Sequence, residues 1–385
     1  MKQTVYLDYA ATAPMDIRVY HAMQPYFFTQ FGNPSSLHSL GREAKNVLQK
    51  SKQMIANCIS AKPDEIVFTS GGTEGNNLAI LGICEAMQAF GKHIITTQME
   101  HHSVLKTCEA LENKGYEVTY LKPNEEGCIS IEQVKKALRP DTILVSIMYG
   151  NNETGSMQPI AEIAELLLEH PAYFHTDAVQ AFGTENINVS DLKVDMFTVS
   201  GHKINGPKGI GFLYVREKTK VLPLLFGGSQ QRKLRPGTEN IPSIVGLAYA
   251  CMYQKDEIDK KRAHLEKVRT AFFNGLHDRQ IQYSINGSKE SYLPHIVNIS
   301  FPTVSISSFL ANLDLEGICV SGGSACTAGS IQGSHVLAAM YGKEDARLFS
   351  SIRVSFGGGT TVDDVKKAVE AIDKILQRSL VRKDK

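Results

Sequence analysis

Lys203 closes an apolar run, Met196-Phe197-Thr198-Val199-Ser200-Gly201-His202-Lys203, that reads as a buried strand. An amine at such a strand end is well placed to condense with an aldehyde. Upstream, Phe174-His175-Thr176-Asp177-Ala178-Val179-Gln180 brings a carboxylate and an amide to a second strand end. Together these are the parts that hold pyridoxal phosphate: an amine for the aldehyde and an anion opposite the ring nitrogen. Without Lys203, Asp177 and Gln180 would read as a turn acid beside a surface glutamine. A third stretch, Gly322-Gly323-Ser324-Ala325-Cys326-Thr327-Ala328-Gly329-Ser330, surrounds one thiol with small residues. A core cysteine sits among Leu, Val and Ile, as Cys84 does. Cys326 instead reads either as a free surface thiol or as a nucleophile on a mobile loop.

Four further segments carry weaker signals. Ser70-Gly71-Gly72-Thr73-Glu74 lies between a strand and a helix, where free N–H groups and the helix dipole suit a phosphate. Many strand-to-helix turns look alike, and this one matches neither the Gly-x-Gly-x-x-Gly nor the Walker pattern. In Glu100-His101-His102-Ser103, one histidine can stack on a flat ring and move protons, or both can be helix-start histidines with no role. A metal is not expected there, because adjacent histidines point apart on a helix and no further ligand is spaced for one. Gly150-Asn151-Asn152-Glu153-Thr154-Gly155 is a polar turn from which one asparagine can reach a ligand. Arg353, on a predicted strand, reads as a surface ion pair or as a bidentate clamp for a carboxylate.

The elements that must position these groups are legible in the pattern. Strands are predicted at 65–69, 94–96, 118–121 and 142–146, with helices over 73–90 and 103–113 and helical spacing at Ile160, Ile163, Ala164 and Leu167. Short apolar strands alternating with helices predict an α/β fold with a mostly parallel sheet covered on both faces, whose ligands bind at the strands' carboxyl ends. Near Lys255 the character changes. A charged amphipathic helix over 255–269 reads as a crossover into a smaller α+β domain. That part has strands at 296–301, 318–320 and 351–355 and a last helix with Thr361 and Asp364 in capping-box spacing. The predicted boundaries are 14–254 for the large domain and 1–13 with 255–385 for the small one.

Bulk composition narrows the function classes. Lys and Arg total 41 against 40 Asp and Glu, a net charge of +1, so no basic field points to nucleic acid. No apolar run is long enough for a signal core or a membrane span, which predicts a soluble cytoplasmic protein. The seven cysteines are odd in number and scattered, which argues against a disulfide framework or a zinc knuckle.

Taken together, the motifs resemble those of the NifS/IscS-type cysteine desulfurases, within the fold-type-I pyridoxal phosphate enzymes. The resemblance runs from Tyr6-Leu7-Asp8-Tyr9-Ala10-Ala11-Thr12 to Gly357. Its further anchors are Gly32-Asn33-Pro34-Ser35-Ser36-Leu37-His38 and Arg235-Pro236-Gly237-Thr238-Glu239-Asn240, beside the segments already quoted. It implies an aspartate-aminotransferase-like fold and an enzyme that converts L-cysteine to L-alanine. Carried over by position, Lys203 is the Schiff-base lysine, Asp177 the pyridinium partner, Gln180 the ring-hydroxyl partner and His101 the stacking acid/base. Gly72, Thr73, Ser200 and His202 would hold the phosphate, and Asn152 the cofactor and the substrate carboxylate. Thr238 would reach the phosphate of a neighbouring subunit, implying a homodimer. Cys326 would form the persulfide, and Arg353 would clamp the substrate carboxylate. Asn205 departs from a histidine common in relatives. The chain ends soon after its last helix, where iron–sulfur-type relatives often carry a longer tail. An acceptor protein for iron–sulfur assembly, tRNA thiolation or thiamine therefore all fit. Selenocysteine lyase, another aminotransferase-like activity, and a sulfur-relay protein without turnover are the rival readings.

Overall fold

Runs of β-branched and aromatic residues build the central sheet, and their sequence order fixes where its loops emerge. The computed structural model describes residues 4–302, 304–323 and 333–383. In chain order the strands are β1 (Val5–Tyr6), β2 (Ile66–Thr69), β3 (His93–Thr97), β4 (Glu117–Leu121), β5 (Thr142–Ser146), β6 (Tyr173–Asp177), β7 (Met196–Ser200) and β8 (Gly211–Val215), then β9 (Ser284–Asn286), β10 (Ile296–Ser300), β11 (Ile318–Cys319) and β12 (Ser351–Ser355). Seven of them form one sheet in the order β2-β8-β7-β6-β5-β3-β4. Only β8 runs antiparallel to its neighbours β2 and β7. The other pairings are parallel. The carboxyl ends of β2, β3, β5, β6 and β7 therefore share one edge, where a ligand of a parallel sheet binds.

Both faces of the sheet are covered, which explains why β5 and β7 are buried along their whole length. One face packs against Leu78, Ile83, Val104 and Leu111 of the helices Gly72–Met87 and His102–Glu112. The other packs against Ile55, Ile163, Ile244 and Leu247 of Ser39–Ile59, Ile160–Leu167 and Ile241–Asp256.

A second hydrophobic core lies around the antiparallel sheet β12-β10-β9, with Val268, Phe272, Ile299, Phe356 and Val369 at its centre. Its last helix, Val362–Lys383, starts on the expected box. The Asp364 N–H donates to Thr361 Oγ1 at 3.1 Å, and the Thr361 N–H donates to Asp364 Oδ2 at 3.0 Å. The chain's first strand joins this half: β1 pairs in parallel with β11, and Asp8 bridges to Ser355.

The predicted helix over 255–269 needs correction. One helix, Ile241–Asp256, ends there, Glu257 interrupts, and a new one runs Ile258–Asp278. The first of these carried no amphipathic signal. Ile241, Ile244, Val245, Leu247, Ala248, Ala250 and Cys251 are all buried, so no polar stripe marks a solvent face.

Candidate active site

A cavity of roughly 310 Å³ opens at the shared strand edge. It is lined by Gly72, Thr73, His101, Asn152, Asp177, Gln180, Ser200, His202, Lys203 and Arg353, residues from six separate stretches of chain. Thr238 is exposed and does not line it. Cys326 lies outside the described residues.

At one end of the cavity the helix Gly72–Met87 begins, so its first backbone N–H groups face inward. Gly71 has φ 149°, a conformation that an L side chain adopts only under strain, and a Cβ on Gly72 would sit 3.0 Å from Val179 Cγ2. The turn is thus shaped by its missing side chains, as an anion cradle requires. The Ser200 hydroxyl and His202 flank it. Burial first, then the charges of Lys203 and Lys208, push the His202 imidazole down to about 4, so the ring is neutral.

Asp177, at the end of β6, also lines the cavity and is 7% exposed. Its Oδ1 accepts the Val179 N–H at 2.9 Å and its Oδ2 accepts Asn76 Nδ2 at 2.7 Å. No cation pairs with it among the described residues. A buried carboxylate without a counter-ion is costly, and a protonated ring nitrogen in the cavity would supply the missing charge. Lys203 Nζ donates to the carbonyls of Ala10 and Ala11 at 2.5 and 2.7 Å. Gln180 Nε2 donates to Ala10 O at 3.0 Å, which leaves its second N–H for a ligand. An amine, an uncompensated carboxylate and a side-chain-free helix start facing one cavity fit pyridoxal phosphate.

Arg353 is buried, at 2% exposed, which excludes a surface ion pair. Its Nη1 donates to Asn152 O and its Nη2 to Asp8 Oδ1, both at 2.9 Å. Its Nε has no partner among the described residues. Each of these bonds uses one of the two N–H groups on its nitrogen, so the Arg353 guanidinium, which lines the cavity, keeps a second N–H on Nη1 and on Nη2 for a carboxylate.

The sequence profile of the aminotransferase class-V family matches residues 5–368. The chain belongs to this family. It is 53% identical over 376 residues to a Bacillus subtilis (strain 168) protein provisionally named cysteine desulfurase IscS 1, covering 98% of this chain and 99% of that one. It is 45% identical to the cysteine desulfurase IscS of Dictyoglomus turgidum, covering 98% and 96%. A solved structure titled NifS-like protein superposes with a TM-score of 0.91 at 34% identity, covering 98% of this chain and all of that one. The fold is therefore that of the fold-type-I enzymes, as the motifs implied.

The cavity of this class-V enzyme also contains residues that the motifs did not single out. Glu153 is 1% exposed; its Oε2 accepts a hydrogen bond from Ser334 Oγ, and its Oε1 lies 4.0 Å from His335 Nδ1. Burial raises its carboxyl above the usual range, opposed by His335, the Ser334 hydroxyl and Arg353. His335 lies against His102, the ring centres 4.6 Å apart and the planes tilted by 35°. Glu100 is fully buried beneath them and pushed up to about 8 by desolvation, so it is protonated at neutral pH. Asn76 and Ser103 complete the wall. Only Asn76 had a readable signal, a polar residue one helical turn past the cradle. Among the described residues, no cluster of three His, Cys, Asp or Glu is arranged to hold a metal ion.

Proposed function

We propose that this class-V enzyme is a pyridoxal-phosphate-dependent cysteine desulfurase, which takes sulfur from L-cysteine, releases L-alanine and passes the sulfur from Cys326 to an acceptor protein. The observation that carries the reading is Asp177, buried without a cation and facing the same cavity as Lys203, in a chain so similar to relatives bearing the desulfurase name. Bound there, the cofactor supplies an electron sink for the substrate carbanion.

The chain's residues do the rest. Asp177 holds the ring's positive charge. Gly72, Thr73, Ser200 and His202 hold its phosphate, and Gln180 its hydroxyl. Lys203 would tether the cofactor's aldehyde, and its free amine would take the substrate's α-proton. Arg353 and Asn152 fix the substrate carboxylate. Cys326 attacks the substrate sulfur: an S–S bond forms, the C–S bond breaks with its electron pair passing to the substrate's β-carbon, which takes a proton to become the methyl of alanine, and the persulfide remains on the protein. A free thiol is mostly protonated at neutral pH, so a local base or positive field must help ionise it.

The large domain of this reading is 14–254, and the small one is 1–13 with 255–385. A homodimer is supported by large apolar side chains left in solvent, Phe28 at 81%, Leu37 at 90% and Phe226 at 91% exposed. The exposed Thr238 would reach the partner's phosphate. No helix among the described residues is long and apolar enough to cross a membrane, in keeping with a cytoplasmic setting. The test is Cys326→Ala. It should keep the yellow absorption of the bound cofactor and still bind cysteine, yet release almost no sulfide; full sulfide release discards the role of Cys326.

A further inference from the structure

His101 is oriented by two donors on one ring nitrogen. The backbone N–H of Ser103 donates to Nδ1 at 3.1 Å, and Ser103 Oγ lies 2.8 Å from the same atom. An amide N–H can only donate, so Nδ1 must accept. In the neutral imidazole the proton therefore sits on Nε2.

One residue further out sets the Ser103 hydroxyl. Asn76 is 1% exposed, and its Nδ2 donates to Ser103 Oγ at 2.8 Å and to Asp177 Oδ2 at 2.7 Å. With a lone pair of its oxygen engaged by Asn76, the Ser103 hydroxyl turns its own proton toward His101. The amide cannot be reversed, because its oxygen would then face the Asp177 carboxylate. In the observed orientation Asn76 Oδ1 is buried with no partner among the described residues. A side chain that leaves its acceptor unsatisfied while using both N–H groups is there for the donors.

We propose that Asn76 and Ser103 are positioning residues that hold His101 as a neutral Nε2–H donor, so that it acts in the cavity by giving a hydrogen bond and not by removing a proton. To serve as a base, Nε2 would first have to lose the proton it carries, and Nδ1 cannot take that proton while the Ser103 amide points at it. A neutral imidazole used as a hydrogen-bond donor is an established catalytic device. The ionisable groups around the ring are Asp177, Lys203, His102 and His335. Burial disfavours the charged ring, Lys203 and His335 push the same way, and Asp177 opposes them. Proton abstraction is left to Lys203. This use of His101 rests on the cofactor reading above, whereas its tautomer does not.

The test is nitrogen NMR of the full-length protein carrying isotope-labelled histidine, with and without cofactor, the His101 signals being assigned by their loss in His101→Gln. Near neutral pH, Nε2 should carry the proton and Nδ1 none, in both forms. A proton on Nδ1 overturns the proposal even if the enzyme proves to be a desulfurase. In Ser103→Ala and Asn76→Leu the ring should protonate more readily, its titration moving up by about one pH unit, a tenfold change in the equilibrium; an unmoved titration removes both residues from the scheme. A general base contributes about 10²–10⁴-fold. His101→Gln, which keeps a neutral N–H, should therefore stay within about tenfold of wild type in kcat/KM while His101→Ala loses more than about a hundredfold. Equal losses in the two would show a base and refute the donor role.

Discussion

The seam behind Lys203 should give way in acid, and His295 should account for a measurable share of the loss. His295 is buried, at 8% exposed; its Nε2 lies 3.4 Å from Gln180 Oε1, and its Nδ1 has no partner among the described residues. Burial first, then the charges of Lys261, Lys203, Arg353 and Arg269, depress the imidazole from 6.5 to about 3. The unfolded chain thus takes up a proton below about pH 6.5 that the native site refuses until about pH 3. The unfolded state binds more protons across that window, so stability is fully present above it and falls as pH drops through it. Each pH unit is worth roughly 1.4 kcal/mol. Between about pH 7.5 and about pH 5, where about 1.5 units of the window are crossed, His295 should withdraw roughly 2 kcal/mol. The assay is urea unfolding of the cofactor-free protein at both pH values, so that ligand binding adds no linkage of its own. In His295→Gln the acid-induced loss should be smaller than in wild type by that amount. Identical losses in the two proteins would refute the argument, because they would mean that the native site accepts the proton without penalty.

Other outcomes follow from the same structure. Glu100 titrates near 8 in the folded protein against an ordinary 4.5. The native state keeps a proton that the unfolded chain loses, so stability should decline between about pH 4.5 and about pH 8 by up to roughly 1.4 kcal/mol per unit. Glu100→Gln should flatten that decline in the same unfolding assay. Arg353→Lys keeps the charge but cannot serve Asn152, Asp8 and a substrate together. With charged hydrogen bonds worth about 1.5–3 kcal/mol, KM for cysteine should rise about 10–100-fold while the yellow absorption persists. Asp8→Ala leaves Arg353 buried without its anion and should cost about 3 kcal/mol of unfolding free energy, more than Asp8→Asn.

How much of this was legible in the sequence depended on how local the signal was. The strand ends carrying Asp177 and Lys203 were readable because each closes a short stretch rich in apolar, β-branched and aromatic residues, as a strand buried on both faces does. Arg353 was half-readable. Its strand was evident, but its burial depends on Asp8, 345 positions away, which no local pattern shows. Glu153 and His335 were invisible as a pair, since one lies in a polar turn that looks ordinary and the other on a short helix from the distant half of the chain. Glu100 sat beside a histidine that drew attention, yet nothing in the sequence marks a glutamate that will be buried and protonated. Ile241–Asp256 escaped for the opposite reason: it is so thoroughly covered that the periodicity betraying a helix is lost.

The carbonyls of Ala10 and Ala11 that hold the Lys203 amine belong to a segment anchored by β11 and Arg353. Its contacts reach Gln180 and Lys203, 170 and 193 positions away, and Arg353, 345 positions away. Contacts of such long sequence separation form late in folding. Loosening this segment, as in Asp8→Ala, should therefore slow cofactor loading during refolding before it disturbs the sheet.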